Sequence, residues 1–551
     1  MARRDQTIIA SDPVTFEVVR GGLYAICEEM KSVMTRAAFS PLLSLSADLS
    51  CALLDADGDV VAQGNDIPVH LGAMPFAAKG VLARFPVDDW RPGDVVLSND
   101  PYCGGSHLPD MTMVTPIHDG ARVLGFAASR VHWPDIGGSA PGSSAVTDEI
   151  IKEGLRIPPI RVARGGEVDD NVATLLFANV RVPGDRLGDF KAQIACNGRG
   201  AERVGDLIAR YGGDSIGKIF AETQDYSQHM VRQALAAIPD GTYTAAQHLD
   251  GDGFIEDTGN GPLRINVAIT KSGDSLSCDF SGTGPQATGP INAPISVTAS
   301  ACYYFTLALS GGDVPPNSGA YRQVDVIAPQ GSLVNCTYPA PVVSGNTEMS
   351  NRLVDLLFEA IAPAVPEAAI AGSYGTAGIC AFGGWDEARG RHFVHVESLG
   401  GGMGASRSGP GLDGHRTHMG NTMNLPVEAT EATCPVRIET YALVDGSGGE
   451  GAWRGGMGVR RVLRALGDDV RFSLLFERTL HPAHGAAGGG AGRTAQFFAE
   501  RADGTRQGLS SKTAVGHLRR GELLCMETAG GGGWGTPDAA TIEIDGKDGE
   551  S

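Results

Sequence analysis

Glycine fills 77 of the 551 positions, about twice the usual ~7%, and no other feature of the chain constrains its fold as much. Glycine supplies positive-φ turns and allows close backbone approaches, so many loops and tight turns are expected. At 551 residues the chain exceeds one ordinary core, and about 150 residues per domain suggests three domains or so. With 42% hydrophobic and 20% charged residues it has the composition of a globular protein, not a disordered one. Its net charge of −20 repels phosphate backbones and anionic lipid, which argues against nucleic-acid and membrane-surface partners. The ten cysteines form no CxxC pair and no regular spacing, so neither a disulfide framework nor a zinc ribbon is indicated, and a reducing cytoplasm fits best. The N-terminus carries two arginines with no apolar stretch behind them, and no apolar run reaches membrane-spanning length; a soluble, unexported protein is expected.

The patterns predict a multidomain, mixed α/β (α+β) protein. Phe16, Val19, Leu23, Ile26, Cys27 and Met30 recur three or four apart and predict a helix over 13–36. LSADLSCALLDADGDVVAQG reads as a hairpin around an Asp-Gly turn, with Asp48 on its first strand. Two further strands are predicted: GDVVLSN, running into the loop DPYCGGSHLPD, and VLGFAASRVH, ending at His132. A helical stretch over 185–211, broken near Asn197 and Gly198, closes the N-terminal domain, 1–235. A mixed α/β middle region, 236–430, has strands over 241–285 and helices over 294–309 and 349–361. A β-rich C-terminal lobe, 431–551, follows.

The densest chemical signal is a double HxxD: His107 with Asp110, and His132 with Asp135, at the ends of adjacent predicted strands. A lone HxxD is ordinarily a histidine satisfied in a polar loop, but two within thirty residues favour a metal centre. Imidazole and carboxylate donors suit zinc, manganese or a similar ion.

Other motifs fail on context. GGDSIGK, from Gly212 to Lys218, places Ile219 where a phosphate loop needs Ser or Thr, and a helix precedes it. GGMGAS, GGMGVR and GGGGWG follow no clear strand and are read as turns, not dinucleotide fingerprints. His415 and His418 form an HxxH without a third ligand and are read as structural or interfacial. The acidic turn at Asp55, Asp57 and Asp59 lacks the calcium-loop register, and Cys103 near His107 reads as an incidental loop cysteine.

In order along the chain, PVHLGAMP, GDVVLSNDPYCGGSHLPDMT, RVHWPDIGG, EGLRIPP, GPINAP, DVPPNSGA, HMGNTMNLPVE, WRGGMGV and GGGGWG resemble the hydantoinase B/oxoprolinase family over nearly the whole sequence. The resemblance implies a subunit that completes, at a metal, a reaction begun by a hydantoinase A-like ATPase partner, which would bind the ATP and phosphorylate a cyclic amide. It implies Asp48, His107, Asp110 and His132 as ligands of one divalent transition metal, zinc or manganese, with iron as a further candidate; Asp135 could replace Asp110. It also makes 1–235 the metal-binding domain. Asp135 is then the expected proton acceptor, and Asn99, Asp100, Gly104, Gly105 and Ser106 the expected substrate-binding residues, the last three through backbone amides around a developing oxyanion. Cys103 and Trp133 flank the ligands and bear on specificity. A hetero-oligomeric hydrolase is expected. The alternative is a subunit of a carboxylase resembling those for acetone or acetophenone, with an enol phosphate and bicarbonate as reactants.

Overall fold

The computed structural model describes residues 11–537. Helix α1 (Pro13–Ala37) opens at Asp12, whose side chain accepts from the Thr15 N–H, and it buries Phe16, Val19, Leu23, Ile26, Cys27, Met30 and Met34 along one face. That face meets a seven-stranded antiparallel sheet of β1 (Leu49–Asp55), β2 (Val60–Gln63), β3 (Val95–Ser98), β4 (Asp110–Asp119), β5 (Arg122–His132), β6 (Ile160–Arg164) and β7 (Glu167–Val168), in the order β2-β1-β5-β4-β3-β6-β7.

The sheet is buried on both faces, so successive residues of one strand enter different cores. Cys51, Leu53, Ala127 and Val131 pack with α1 and the helix α3 (Pro183–Tyr211). Ala52, Leu54, Phe126 and Ala128 pack with Met74, Ala78 and Val81 of α2 (Pro68–Arg84).

Three expectations need correcting here. Strand β4 was not anticipated; it lies between β3 and β5, which are therefore not neighbours. Its first eight residues are all buried, which erases polar alternation, and Pro116 obscures it further. Helix α3 runs unbroken through Asn197 and Gly198, and the buried Asn197 donates its Nδ2 to the Met113 carbonyl of β4 at 3.0 Å, docking the helix. Asp48 lies one residue before β1. After α3 comes α4 (Gly213–Ala236), and the GGDSIGK segment forms its opening turns.

The middle region holds the sheet β11-β10-β9-β8, built from β8 (Gly241–His248), β9 (Arg264–Ser272), β10 (Ser275–Asp279) and β11 (Val324–Ile327). Ile265, Val267 and Ile269 of β9 share a core with α5 (Ile295–Leu309) and α6 (Ser350–Ile361). A π-helical turn, Gly345–Met349, leads into α6. Two further sheets follow. One is β13-β12-β16-β19, made of β12 (Ile379–Asp386), β13 (Arg391–Ser398), β16 (Val470–Leu475) and β19 (Lys512–Leu518), so strands from either side of residue 430 share it. The other is β14-β15-β20-β17-β18, made of β14 (Val436–Leu443), β15 (Val459–Ala465), β17 (Gln496–Glu500), β18 (Arg506–Leu509) and β20 (Leu523–Glu527).

The glycine motifs of this lobe are not simple turns. They are segments packed backbone against backbone: the Gly531 N–H donates to the Gly456 carbonyl at 2.9 Å, and that of Gly449 to the Gly531 carbonyl at 2.8 Å. A Cβ on Gly455 would stand 1.9 Å from the Gly531 oxygen, and one on Gly402 2.0 Å from the Gly456 oxygen. Close approach, as much as positive φ, accounts for the glycine excess in this lobe. Among the described residues no helix is long and apolar enough to cross a membrane.

Candidate metal centre and its cleft

Strand pairing places the first ligand candidates. β1 runs against β5 with Leu49 opposite Val131, and the pairing extends one step further, where the His132 N–H donates to the Asp48 carbonyl at 3.1 Å. On the other side of β5, His132 is the register partner of Asp110, the first residue of β4. Three neighbouring strand ends thus present Asp48, His132 and Asp110 side by side. His107 joins them from the loop before β4, where the Asp110 N–H donates to its carbonyl at 3.1 Å.

Donor atoms of His107, Asp110 and His132 all lie within 4.8 Å of one another. The His107 Nδ1 stands 3.1 Å from Asp110 Oδ2, and the His132 Nδ1 stands 3.7 Å from Asp110 Oδ1 and 3.9 Å from Asp48 Oδ2. Donors about 2.1 Å from one tetrahedral ion are roughly 3.4 Å apart, so these spacings fit a shared cation. Both ring nitrogens of His107, the Nε2 of His132 and the Oδ1 of Asp110 are buried without a hydrogen-bond partner. Buried polar atoms left unpaired cost stability unless something else satisfies them. The His/His/Asp cluster is thus consistent with a divalent metal site.

Electrostatics reinforce the arrangement. Burial would raise the Asp110 carboxyl, but His107 and His70 beside it hold it well below the usual carboxylate range. Burial lowers His107, which favours the neutral, ligating imidazole. Burial lowers His132 as well, yet the Asp110 and Asp48 carboxylates outweigh it and the net shift is upward. Burial draws the Arg130 guanidinium down to about 10, against the opposing pull of Asp110.

His70, on α2, was missed in the sequence because it is a single histidine in an apolar helix with no ligand-like spacing. Its Nε2 lies 3.3 Å from Asp110 Oδ2, and its Nδ1 shares a 2.8 Å hydrogen bond with the Ser50 hydroxyl. Ser106 donates its hydroxyl to Asp110 Oδ2 at 2.5 Å. His70, from α2, and Ser106, from the loop before β4, both hold the same oxygen of Asp110.

The remaining sequence candidates lie elsewhere. Asp135 is fully buried and engaged with the 181–182 segment: its Oδ1 accepts from Arg181 Nη1 at 3.0 Å, and its Oδ2 accepts from the Arg181 and Val182 backbone N–H groups. It stands outside both the cluster and the cleft. Asn99 spends its amide on Leu108, Leu155 and Ile157. Asp100 caps the turn at Tyr102 and pairs with Arg156. Gly104, at φ +95°, passes so near Phe76 that a Cβ would meet its carbonyl oxygen at 2.2 Å, and the Gly105 carbonyl accepts from Ser296 at 2.6 Å. None of Asn99, Asp100, Gly104, Gly105 and Ser106 lines the cleft. Together they fasten the ligand loop to its supports. Trp133 packs against Phe177 and Phe190, and the Cys103 thiol contacts Asp100. His418 pairs with Asp355 at 3.1 Å, and His415 bridges to Gly401 through its backbone.

Asp48, His70, Asp110 and His132 form one side of a cleft. Ile67, Val69, Ile379 and Val396 give it apolar walls, and Asn346, Asn351, Tyr374, Ser398 and Arg416 bring polar groups from the middle of the chain. His107 and Asp110 are 1% exposed at the side chain, His132 7% and Asp48 20%, so the cluster opens to the cleft at Asp48 and His132. A metal site with one open side is the form catalytic centres take.

Fold and cluster together define a mixed α/β protein with a buried His/His/Asp centre beneath a cleft shared by its N-terminal region and the segment from Asn346 to Thr422. The hydantoinase B/oxoprolinase family model matches residues 12–537, and the chain belongs to that family. An uncharacterised protein of Methanocaldococcus jannaschii is 34% identical over 536 residues, covering 97% of this chain and 92% of that protein. The crystal structure of ATP-dependent caprolactamase from Pseudomonas jessenii superposes with a TM-score of 0.89 at 29% identity, covering 97% of this chain and 93% of that one. A nucleotide-free acetone carboxylase structure shares the fold with a TM-score of 0.87 at 18% identity, covering 96% of this chain and 76% of that one.

Proposed function

We propose that the chain is the metal-carrying subunit of an ATP-dependent hydrolase of cyclic amides, acting with an ATPase subunit of the hydantoinase A type. The observation that carries this reading is the convergence of His107, Asp110 and His132, with unpartnered donor atoms, at the edge of a cleft with apolar walls and polar groups. Similarity to an ATP-dependent caprolactamase over 97% of the chain supports the substrate class.

Asp48, His107, Asp110 and His132 would hold one divalent transition metal. Two imidazoles and two carboxylates suit zinc or manganese, and iron as well. When bound, such an ion supplies Lewis-acid chemistry and lowers the pKa of water toward about 7. An amide carbonyl resists attack because resonance deactivates it, and phosphorylation of its oxygen on the partner subunit would make it a good electrophile. This chain's own contributions are positional. His70 and Ser106 hold Asp110 in place, and the apolar walls from Ile67, Val69, Ile379 and Val396 limit bulk water around the reacting carbon. With ten free cysteines, the protein is assigned to the reducing cytoplasm.

The test is to assemble the chain with its ATPase partner and follow ATP-dependent loss of hydantoin, 5-oxoproline or caprolactam. Bicarbonate-dependent carboxylation of a ketone is followed in parallel. Ring opening is expected. Carboxylation without ring opening would overturn the reading.

A further inference from the structure

Two groups in the cleft are used by nothing described so far. Asn346 stands on the π-helical turn before α6, a backbone form that recurs at functional sites. The turn is locked in place, since a Cβ on Gly345 would lie 1.9 Å from the Asn292 carbonyl oxygen. The Asn346 side chain lines the cleft, is 6% exposed, and its Oδ1 has no hydrogen-bond partner. An unpartnered amide oxygen, nine-tenths buried and facing a cleft, is a site made for a donor on a ligand.

Arg416 also lines this cleft. Its Nε donates to the Ser398 hydroxyl at 2.7 Å, its Nη1 to Asn424 Oδ1 at 2.6 Å, and its Nη2 to the Ser398 carbonyl. These acceptors are neutral. They fix the plane of the guanidinium and leave its charge without a carboxylate partner among the described residues, with two of its five N–H donors unspent. A held, uncompensated fork of this kind is suited to an oxyanion.

We propose that Asn346 and Arg416 are the substrate-orienting residues of the cleft, Asn346 taking the amide edge of the ring and Arg416 an anionic oxygen of the same molecule. The inference rests on the proposed function and adds to it the residues that hold the substrate in the cleft. A ring holds its amide cis, so the N–H and the carbonyl oxygen face the same way. A carboxamide offers an acceptor and donors side by side, and Asn346 complements that edge. The anionic oxygen has two sources with the same chemistry: the phosphoryl group added on activation, or a carboxylate native to the substrate.

The experiment measures binding to the full-length, metal-loaded chain by titration calorimetry, with inorganic phosphate, 5-oxoproline and 2-pyrrolidinone as probes. The last two differ by one carboxylate. Asn346→Ala is expected to weaken both ring amides about tenfold or more and to spare phosphate. Arg416→Gln is expected to leave 2-pyrrolidinone unchanged and to weaken an anionic probe about tenfold or more, with Arg416→Lys falling between. Loss of phosphate alone assigns the guanidinium to the activated oxygen; loss of 5-oxoproline alone assigns it to a substrate carboxylate. Equal binding of every probe by wild type and variants overturns the inference, as does a wild-type protein that binds none of them. Metal content on the same samples separates the two levels: a chain that takes up no metal fails the proposed function, whereas a metal-loaded chain indifferent to Asn346 and Arg416 fails this inference alone.

Discussion

Asp48 and His132 meet at the same end of two neighbouring strands, with the His132 N–H on the Asp48 carbonyl at 3.1 Å and the His132 Nδ1 3.9 Å from the Asp48 carboxylate. The β1–β5 register therefore brings together two ligand candidates 84 positions apart in sequence, 132 minus 48. The strand pairing itself places the two residues side by side.

Elemental analysis should accordingly find about one equivalent of a divalent transition metal per chain. His107→Ala and His132→Ala should each reduce it to about a tenth or less while circular dichroism stays near wild type, because the other cores contain neither residue. Full metal retention by both variants would refute the ligand set.

His70 Nε2 lies 3.3 Å from Asp110 Oδ2, so with the proposed ligand set it would act on a bound metal through Asp110. Partners that orient a ligand typically contribute about 10–100-fold in metal affinity. His70→Ala should therefore weaken binding by about that factor, seen in competition with a chelator, without abolishing it. An unchanged affinity would leave the 3.3 Å contact without a role.

The site was legible in the sequence where chemistry repeats at short spacing and opaque where packing decides. The double HxxD exposed His107, Asp110 and His132, and family resemblance added Asp48. The same spacing also picked out Asp135, whose carboxylate is engaged by Arg181 in a segment 46 residues away. His70 carries no local signal at all. In the fold, α1 announced itself through its apolar spacing, whereas β4, buried on both faces, lost the alternation that marks a strand. The glycine motifs gave no hint that their partners were each other, since backbone contact over 50 or more residues leaves no local pattern.

Those glycine contacts make a separate prediction. A methyl on Gly455 would stand 1.9 Å from the Gly531 carbonyl oxygen, which is backbone and cannot rotate away. Gly455→Ala should destabilise the protein by about 1–3 kcal/mol or more, read as a lower Tm or loss of soluble protein. Gly508→Ala, which meets nothing within 4 Å, is the control and should leave the Tm unchanged.

Glu153 provides a pH dependence away from the metal centre. Burial pushes its carboxyl up to about 8 from 4.5, even though its Oε1 accepts from the Val342 and Val343 N–H groups at 2.9 and 3.0 Å; its Oε2 has no partner. Because the folded value is the higher one, folding favours the protonated acid. Its stabilising contribution is complete below pH 4.5 and is lost as the pH rises toward about 8. Glu153→Gln keeps an oxygen for the two N–H groups and removes the titration. The Tm of the variant relative to wild type should rise by about a few degrees between pH 5 and pH 8. A difference that stays flat across that range would contradict the assignment.

The proposed division of labour puts activation on the partner and ring opening at the Asp48–His107–Asp110–His132 centre. The most direct measurement follows phosphate release and ring opening side by side in the assembled complex, with wild type and His132→Ala at matched concentration. The variant is expected to lose ring opening while part of its substrate-stimulated ATP turnover persists, because the phosphorylated substrate still forms and decays in water. A His132→Ala complex that has lost its metal yet opens the ring at the wild-type rate would contradict it.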